Sequence, residues 1–523
     1  MRAPRSRTMF ELLDEQAHRH PHALAVICGD DALSYADLAT RAARAAAVLA
    51  AHGVRRGDRV GLLINNRLEW LELAFGTWLL GAVLTPFSTW STRPELEFLL
   101  ADSGVRVLVA LPAFGREDYA AMLGELVPPG GAANLPELRS VMLLDAYVAA
   151  RERAEALAVP APGAGASASD DAIILYTSGS TSRPKAIALA HYLVIENAFN
   201  IGERQGLGPT DRVLLSPPLF WAYGGINALP ATFSHGGALV LQGRFEAGEA
   251  LELIERHGCT AIYTLPGMTD ALVRHPAFAP ARTRTLRTGL TIGSPQDVIR
   301  AAEELGARAM CNIYGASETG GNCCVTQHDW PLERRANCQG MPLPGVVLRI
   351  VDEADGAVRG PGEPGLVEVR GPYVMHGYTN ASAAHNATAF TADGWFRTGD
   401  IGQLTDAGEF VFLGRSTEMI KRAGINVSPA EVEDVLMQHP DVAQAGVVGV
   451  ASPRGESIIA FIVPRGGTRP TPEELAAHCR KLASGYKVPD RFELLEALPA
   501  TVTGKLLRRE LKATADRLAL AGR

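Results

Sequence analysis

Tyr176-Thr177-Ser178-Gly179-Ser180-Thr181-Ser182-Arg183-Pro184-Lys185 follows the short apolar run Ala172–Leu175 and is dense in hydroxyls and backbone amides. Small residues in succession let backbone N–H groups converge on an anion, and Lys185 sets a mobile positive charge at the end of the loop. The chemistry points to phosphate. A plain turn is also rich in Ser, Thr and Gly, so this loop alone leaves both readings open. A Walker A loop is excluded, because Pro184 precedes Lys185 and Ala186 follows it, where that motif needs Gly and then Ser or Thr. The dinucleotide fingerprint G-x-G-x-x-G is absent from the loop as well.

Four more stretches follow in order: Tyr314-Gly315-Ala316-Ser317-Glu318, Gly394-Trp395-Phe396-Arg397-Thr398-Gly399-Asp400, the run from Gly414-Arg415 through Lys421 to Glu433, and Thr503-Gly504-Lys505. Together with the first loop they resemble the signatures of the adenylate-forming superfamily, which holds acyl-CoA synthetases, peptide-synthetase adenylation domains and luciferases. The likeness runs from about Leu33 to about Lys512 and is nearest to an acyl-CoA synthetase. It implies an α/β fold: a large N-terminal domain (1–414) of two stacked α/β subdomains plus a small β subdomain, a hinge at 415–418, and a mobile small α+β C-terminal domain (419–523).

At 523 residues the chain is long enough for about three folding units with large cores, and 47% hydrophobic with 20% charged residues is a globular composition. The net charge of −7, with no basic stripe in any window, argues against a nucleic-acid partner. Seven scattered cysteines without framework spacing suit reduced thiols, so a cytoplasmic location is expected. Cys323 and Cys324 lie near His328 and Cys338, but no CxxC pairing supports a protein-ligated metal. The basic N-terminus runs into Glu11, Asp14 and Glu15 without an apolar core, unlike a secretory signal. Leu73 to Trp90 has no charged residue, yet Gly76, Gly81 and Pro86 interrupt it, which predicts a buried helix and then a strand rather than a membrane span.

Elsewhere β-like runs at Leu24–Cys28, Val60–Ile64 and Val105–Ala110 alternate with helical patterns at Ser34–Gly53, Asn65–Leu84 and Arg93–Ala101, which argues for parallel α/β layers. A connector rich in Ala, Pro, Gly and Ser (159–170) leads to the phosphate loop. A second alternation, with strands at Arg212–Leu215, Ala238–Leu241, Ala261–Tyr263 and Gly289–Ile292, implies a second layer. Short β runs separated by Pro and Gly between Gly340 and Asp400 read as a small β subdomain, and Ser428-Pro429-Ala430-Glu431 opens a helix to Met437.

Carboxylate activation at the α-phosphorus of ATP sets negative charge against negative charge, so it calls for backbone donors, a lysine and a carboxylate-held Mg²⁺ rather than a nucleophilic side chain. The resemblance implies that Thr177, Ser178, Gly179, Ser180, Thr181 and Lys185 close over the β and γ phosphates. By the same likeness Tyr314, next to Gly315, stacks on adenine beside Gly293-Ser294-Pro295, Ser317 touches the α-phosphate, and Glu318 holds Mg²⁺. Asp400 accepts from the ribose hydroxyls, Arg415 approaches from the domain junction, and Lys505 bridges ribose and the reacting carboxylate. The cofactors implied are ATP, Mg²⁺ and coenzyme A. Seen singly, Tyr314 reads equally as core, Glu318 as a solvated carboxylate, Asp400 as a turn residue, and Lys505 with Arg508, Arg509 and Lys512 as a basic helix end. Three positions depart from the family pattern: Thr417 at the hinge stands where Asp or Lys is usual, Ser182 where the loop usually has Gly, and Trp221 where many acyl- and aryl-CoA synthetases have His.

Phe220-Trp221-Ala222-Tyr223-Gly224-Gly225 is expected to line the acyl pocket, with Trp221, Tyr223 and Gly224 as its determinants. Trp221 takes the place of the Asp that holds an ammonium in peptide-synthetase domains, which disfavours an α-amino acid. An apolar slot fits a medium-chain, alicyclic or aryl acid. The leading reading is an AMP-forming acid–CoA ligase. A stand-alone enzyme loading the phosphopantetheine of an acyl carrier protein is the alternative. Gly315-Ala316-Ser317-Glu318-Thr319 comes within one residue of the serine-hydrolase elbow G-x-S-x-G, and a non-catalytic nucleotide-binding protein is a further option disfavoured by Lys505 and Glu318.

Overall fold

The computed structural model describes residues 3–128, 134–155, 165–177, 184–422, 425–452, 455–483, 485–500 and 506–521. Ser178, Gly179, Ser180, Thr181, Ser182, the Thr503-Gly504-Lys505 motif and much of the 159–170 connector lie outside these residues.

Two large sheets form the body of the chain. One has nine strands, with Ala309–Tyr314, Thr288–Thr291, Ala261–Tyr263, Arg212–Leu215, Ala238–Leu241 and Leu24–Cys28 running parallel through its centre. The other has six, with Asp171–Thr177, Val83–Pro86, Arg59–Leu63, Val107–Ala110 and Ser140–Leu143 parallel, and Lys185–Ala190 antiparallel at its edge. Side chains alternate across a strand, so Val213 and Leu215 enter the core shared by both sheets while Leu214 joins Ile27, Val240 and Ile262 in a second core on the opposite face. The sequence order hides one feature: Leu24–Cys28, from the start of the chain, pairs in parallel with Ala238–Leu241 and so belongs to the later sheet.

Local signals explain the helices. Ser34 and Asp37 form the expected capping box at the start of the helix Tyr35–Ala51. The helix expected over Asn65–Leu84 is shorter, Leu68–Leu79, because Gly81 takes a left-handed conformation (φ 66°) and turns the chain into the buried strand Val83–Pro86. No helix among the described residues is long and apolar enough to cross a membrane.

Val347–Val351, Gly365–Arg370, Phe396–Leu404 and Phe410–Arg415 make a four-stranded antiparallel sheet, longer than the expected β subdomain by its last strand. A turn over 416–418 follows, and Ile420–Arg422 already belongs to a separate five-stranded sheet carrying the helices Pro429–Met437, Pro472–Leu482 and Arg508–Ala521. Ser428 caps Pro429–Met437 as its sequence predicts, but Glu431 pairs with Lys487 instead of closing a capping box. That helix packs against Pro295–Glu303 of the body.

Candidate active site

Parallel strands direct the residues after their carboxyl ends to one edge, and ligands in such sheets bind there. A cleft of about 790 Å³ opens at that edge. It gathers Thr177 and Lys185 from the two stems of the phosphate loop, Gly315, Ala316, Ser317 and Glu318 from the turn after Ala309–Tyr314, and Arg415 and Thr417 from the junction to the last sheet. Residues far apart in sequence therefore meet in one cleft.

Asp400 and Tyr314 lie just beneath this lining, 3% and 6% exposed. The Tyr314 hydroxyl donates to Asp400 Oδ2 (2.6 Å), and its ring packs between Phe410 and Phe412 at centroid distances of 4.4 and 5.9 Å. Burial raises the pKa of the Asp400 carboxyl, against the opposing pull of Arg415 and the Tyr314 hydroxyl. Arg415 Nε stands 2.9 Å from Oδ1 as a charge contact, yet Oδ1 is buried with no hydrogen-bond partner. Thr177 Oγ1 is buried and unpartnered too. The Asp400 oxygen has a charged neighbour but no hydrogen bond, and the Thr177 hydroxyl has none among the described residues; a ribose and a phosphate carry the groups that would complete both. Glu318 supplies a hard carboxylate oxygen on the same wall, the donor type that suits Mg²⁺. Tyr378, which the sequence reading missed, donates from its hydroxyl to Glu318 Oε1 (3.0 Å) and lies under Lys185 Nζ, 4.7 Å from the ring centroid. Burial beside Glu318 holds its phenol well above the usual range, so it remains a donor.

Other expected residues stand apart. Gly293, Ser294 and Pro295 are not on the cleft wall: Ser294 caps the helix Pro295–Glu303 in a box with Asp297. Trp221 and Tyr223 line the cleft, but Gly224 is buried, and a Cβ there would lie 2.3 Å from the Pro218 carbonyl oxygen, so this glycine serves backbone packing. It sits in a π-helix, Ala222–Ala228, which the sequence reading did not foresee. Pro230 gives a signal for it, since its ring crowds the carbonyl four residues back and widens the preceding turn. The Tyr223 hydroxyl donates to the carbonyls of Leu290 (2.8 Å) and Thr264 (3.1 Å), which pins its ring across two strand ends. No hydrogen bond joins Ser317 to a histidine among the described residues.

Phe220 and Trp221 also wall a second cavity, of about 320 Å³, with Trp90, Phe114, Phe245, Leu265 and Met268. Trp90 meets Phe220 and Trp221 edge-on at 5.4 and 5.2 Å. Asn65, Asn66, Thr89, Ser216 and Arg244 are its polar members.

The profile of the AMP-binding enzyme family matches residues 13–379, and that of its C-terminal domain matches 431–505. The chain belongs to this family. The AMP-binding enzyme is 34% identical over 501 residues to a feruloyl-CoA synthase of an Amycolatopsis species, covering 95% of this chain and 97% of that one. It is 32% identical over 540 residues to the mitochondrial medium-chain acyl-CoA ligase ACSF2 of Rattus norvegicus, covering 97% and 87%. Among solved structures it superposes on the anthranilate CoA ligase AuaEII in complex with anthranoyl-AMP (TM-score 0.88, 26% identity, 99% of both chains). It also superposes on ATP-bound MatB from Rhodopseudomonas palustris (TM-score 0.85, 26% identity, 97% and 99%). It is an AMP-forming acid–thiol ligase of the adenylate-forming superfamily, acting through an acyl-adenylate with ATP, Mg²⁺ and coenzyme A.

Proposed function

We propose that this ligase activates a compact apolar acid, aryl, alicyclic or medium-chain, in the cleft and receives the thiol through the aromatic cavity. The observation that carries the proposal is the pair Phe220 and Trp221, shared between the polar cleft and a largely aromatic cavity. The acid's carbon skeleton sits against Trp221, Ala222 and Tyr223, with its carboxylate toward Ala316 and Ser317. Tyr223, tied to two carbonyls, limits the depth of that end. The stretch Phe220–Tyr223 itself brings no acidic side chain to the cleft to meet an ammonium, which agrees with an acid lacking an α-amino group. Relatives named for feruloyl, anthranilate and medium-chain substrates support the same range.

In the first step a carboxylate oxygen attacks the α-phosphorus and pyrophosphate leaves. Thr177 and Lys185 hold the phosphates, Asp400 Oδ1 accepts from the ribose, and Ser317 and Lys505 offset charge at the α-phosphate and the carboxylate. Glu318 would hold Mg²⁺, which supplies charge neutralisation across the phosphates. In the second step the thiol sulfur attacks the acyl carbon and AMP departs. The aromatic cavity shares Trp221 with the cleft, and its 320 Å³ with scattered amide and guanidinium groups suits a slender amide-bearing arm. Rotation of 419–523 about 415–418 would withdraw Lys505 between the steps. Free thiols throughout fit a reducing cytoplasm.

Acid-dependent pyrophosphate release, measured over aryl, alicyclic, fatty and amino acids with and without coenzyme A, tests this reading. Release with an apolar acid, and thioester only when coenzyme A is added, is expected. Release with amino acids alone would contradict it.

A further inference from the structure

Tyr378 is set by backbone as well as by its side chain. It bridges Ile187 of the edge strand Lys185–Ala190, Thr379 N–H donates to the Ala186 carbonyl (2.9 Å), and Tyr378 N–H donates to Asn386 Oδ1 (2.8 Å). The neighbouring Asn380 accepts from Ala186 N–H (2.9 Å) and donates to the Pro184 carbonyl (3.1 Å). The segment 378–380 is thus laced to the chain on either side of Lys185. From this fixed base the phenol reaches Glu318 on the turn Ser317–Thr319, while its ring face meets the Lys185 ammonium. One side chain touches both the carboxylate and the cation of the phosphate site. Those two groups lie more than a hundred residues apart in sequence and have no other direct link among the described residues.

We propose that Tyr378 is a positioning residue that presets the Glu318 carboxylate for Mg²⁺ and the Lys185 ammonium for the phosphates, so that MgATP meets both already oriented. A hydroxyl donating to one carboxylate oxygen restricts the carboxylate's rotation and leaves the other oxygen outside that bond. The ring face keeps the ammonium near the cleft without neutralising it, as a carboxylate partner would. The proposal rests on the reading that Glu318 holds Mg²⁺.

Two variants of the full chain separate the two contacts. Tyr378→Phe keeps the ring under Lys185 and deletes the bond to Glu318, whereas Tyr378→Leu removes both. ATP binding is measured by calorimetry with and without Mg²⁺, and Mn²⁺ binding in the presence of ATP by electron paramagnetic resonance. For Tyr378→Phe, divalent-free ATP affinity and the KM for the acid stay at wild-type values, while the Mg²⁺ concentration for half-maximal ATP binding rises about tenfold and Mn²⁺ affinity falls in step. Tyr378→Leu also weakens divalent-free ATP binding. A Tyr378→Phe enzyme with wild-type Mg²⁺ and Mn²⁺ titrations overturns the proposal. An equal loss in divalent-free ATP, metal and acid binding, reflecting general disturbance of the cleft, overturns it as well. Glu318→Gln is run alongside: if it too titrates like wild type, the metal reading fails and the proposal with it.

Discussion

The two spaces on either side of Phe220 and Trp221 differ in almost every respect. The cleft is built from turns that follow strands, carries Lys185, Glu318 and Arg415, and leaves two buried oxygens without hydrogen bonds among the described residues: Thr177 Oγ1 on its wall and, just beneath, Asp400 Oδ1, which has Arg415 Nε beside it as a charge contact. The neighbouring cavity sets rings and aliphatic side chains among the polar groups of Asn65, Asn66, Thr89, Ser216 and Arg244, drawn from separate stretches of the chain. Polar atoms left unsatisfied in a folded protein are costly unless a ligand meets them, so the cleft is specialised for one ligand whose charges are fixed in advance. Apolar walls discriminate by shape and more weakly, so the second space can admit an arm without gripping it. On the proposed reading, the two half-reactions share one acyl centre because each partner approaches from its own side.

The sharpest break in that division should come from the cleft. Lys505→Ala is expected to lower adenylate formation by about a hundredfold or more while MgATP still binds, because the lost charge acts at the reacting carboxylate rather than on the nucleotide as a whole. Acid-dependent pyrophosphate release against calorimetric MgATP binding checks this, and parallel loss of both would remove Lys505 from that role. Tyr223→Ala should act on the acid alone. Opening the space beside Tyr263, whose ring lies 5.0 Å from that of Tyr223, should shift the kcat/KM ratio of a bulkier to a smaller acid by about tenfold. The KM for ATP should stay in place.

The smallest effect belongs to the contact between the body and the last module. Burial pushes the Asp434 carboxyl up to about 7, aided by Asp297 across the contact and by Glu433 and Glu431 on its own helix, and opposed by the Ser294 hydroxyl. A carboxyl whose pKa is raised on folding favours the folded state while protonated. The unfolded chain gives up its proton first, so this contribution is lost as pH rises from the ordinary carboxylate range through about 7. Asp434→Asn should therefore melt higher relative to wild type at pH 8 than at pH 5, by a few degrees at most. An equal difference at both pH values would take Asp434 out of the account.

The cleft was largely legible in the sequence because its parts are short contiguous motifs on turns: Gly315–Glu318 and Gly399–Asp400 each follow or lie within a strand that also reads clearly. The second cavity was not, since no local pattern links Asn65, Phe114 and Met268 before the sheets bring them together. Gly224 shows the limit of reading a glycine as room for substrate, because its missing side chain answers the Pro218 carbonyl. Tyr378 was invisible for a related reason: its partners Lys185 and Glu318 come from distant segments, and nothing around Tyr378 itself marks a site. The place of Leu24–Cys28 in the later sheet likewise depends on a parallel pairing across more than two hundred residues, which periodicity cannot report.

Met268→Trp tests the division of the two spaces most directly, by narrowing the aromatic cavity at a residue that does not line the cleft. Acid-dependent exchange of pyrophosphate into ATP and formation of the coenzyme A thioester would be measured on the same preparation. The expected result is exchange near the wild-type rate with thioester formation reduced about tenfold or more. Thioester formation at the wild-type rate, or loss of both activities together, would contradict separate approaches for nucleotide and thiol.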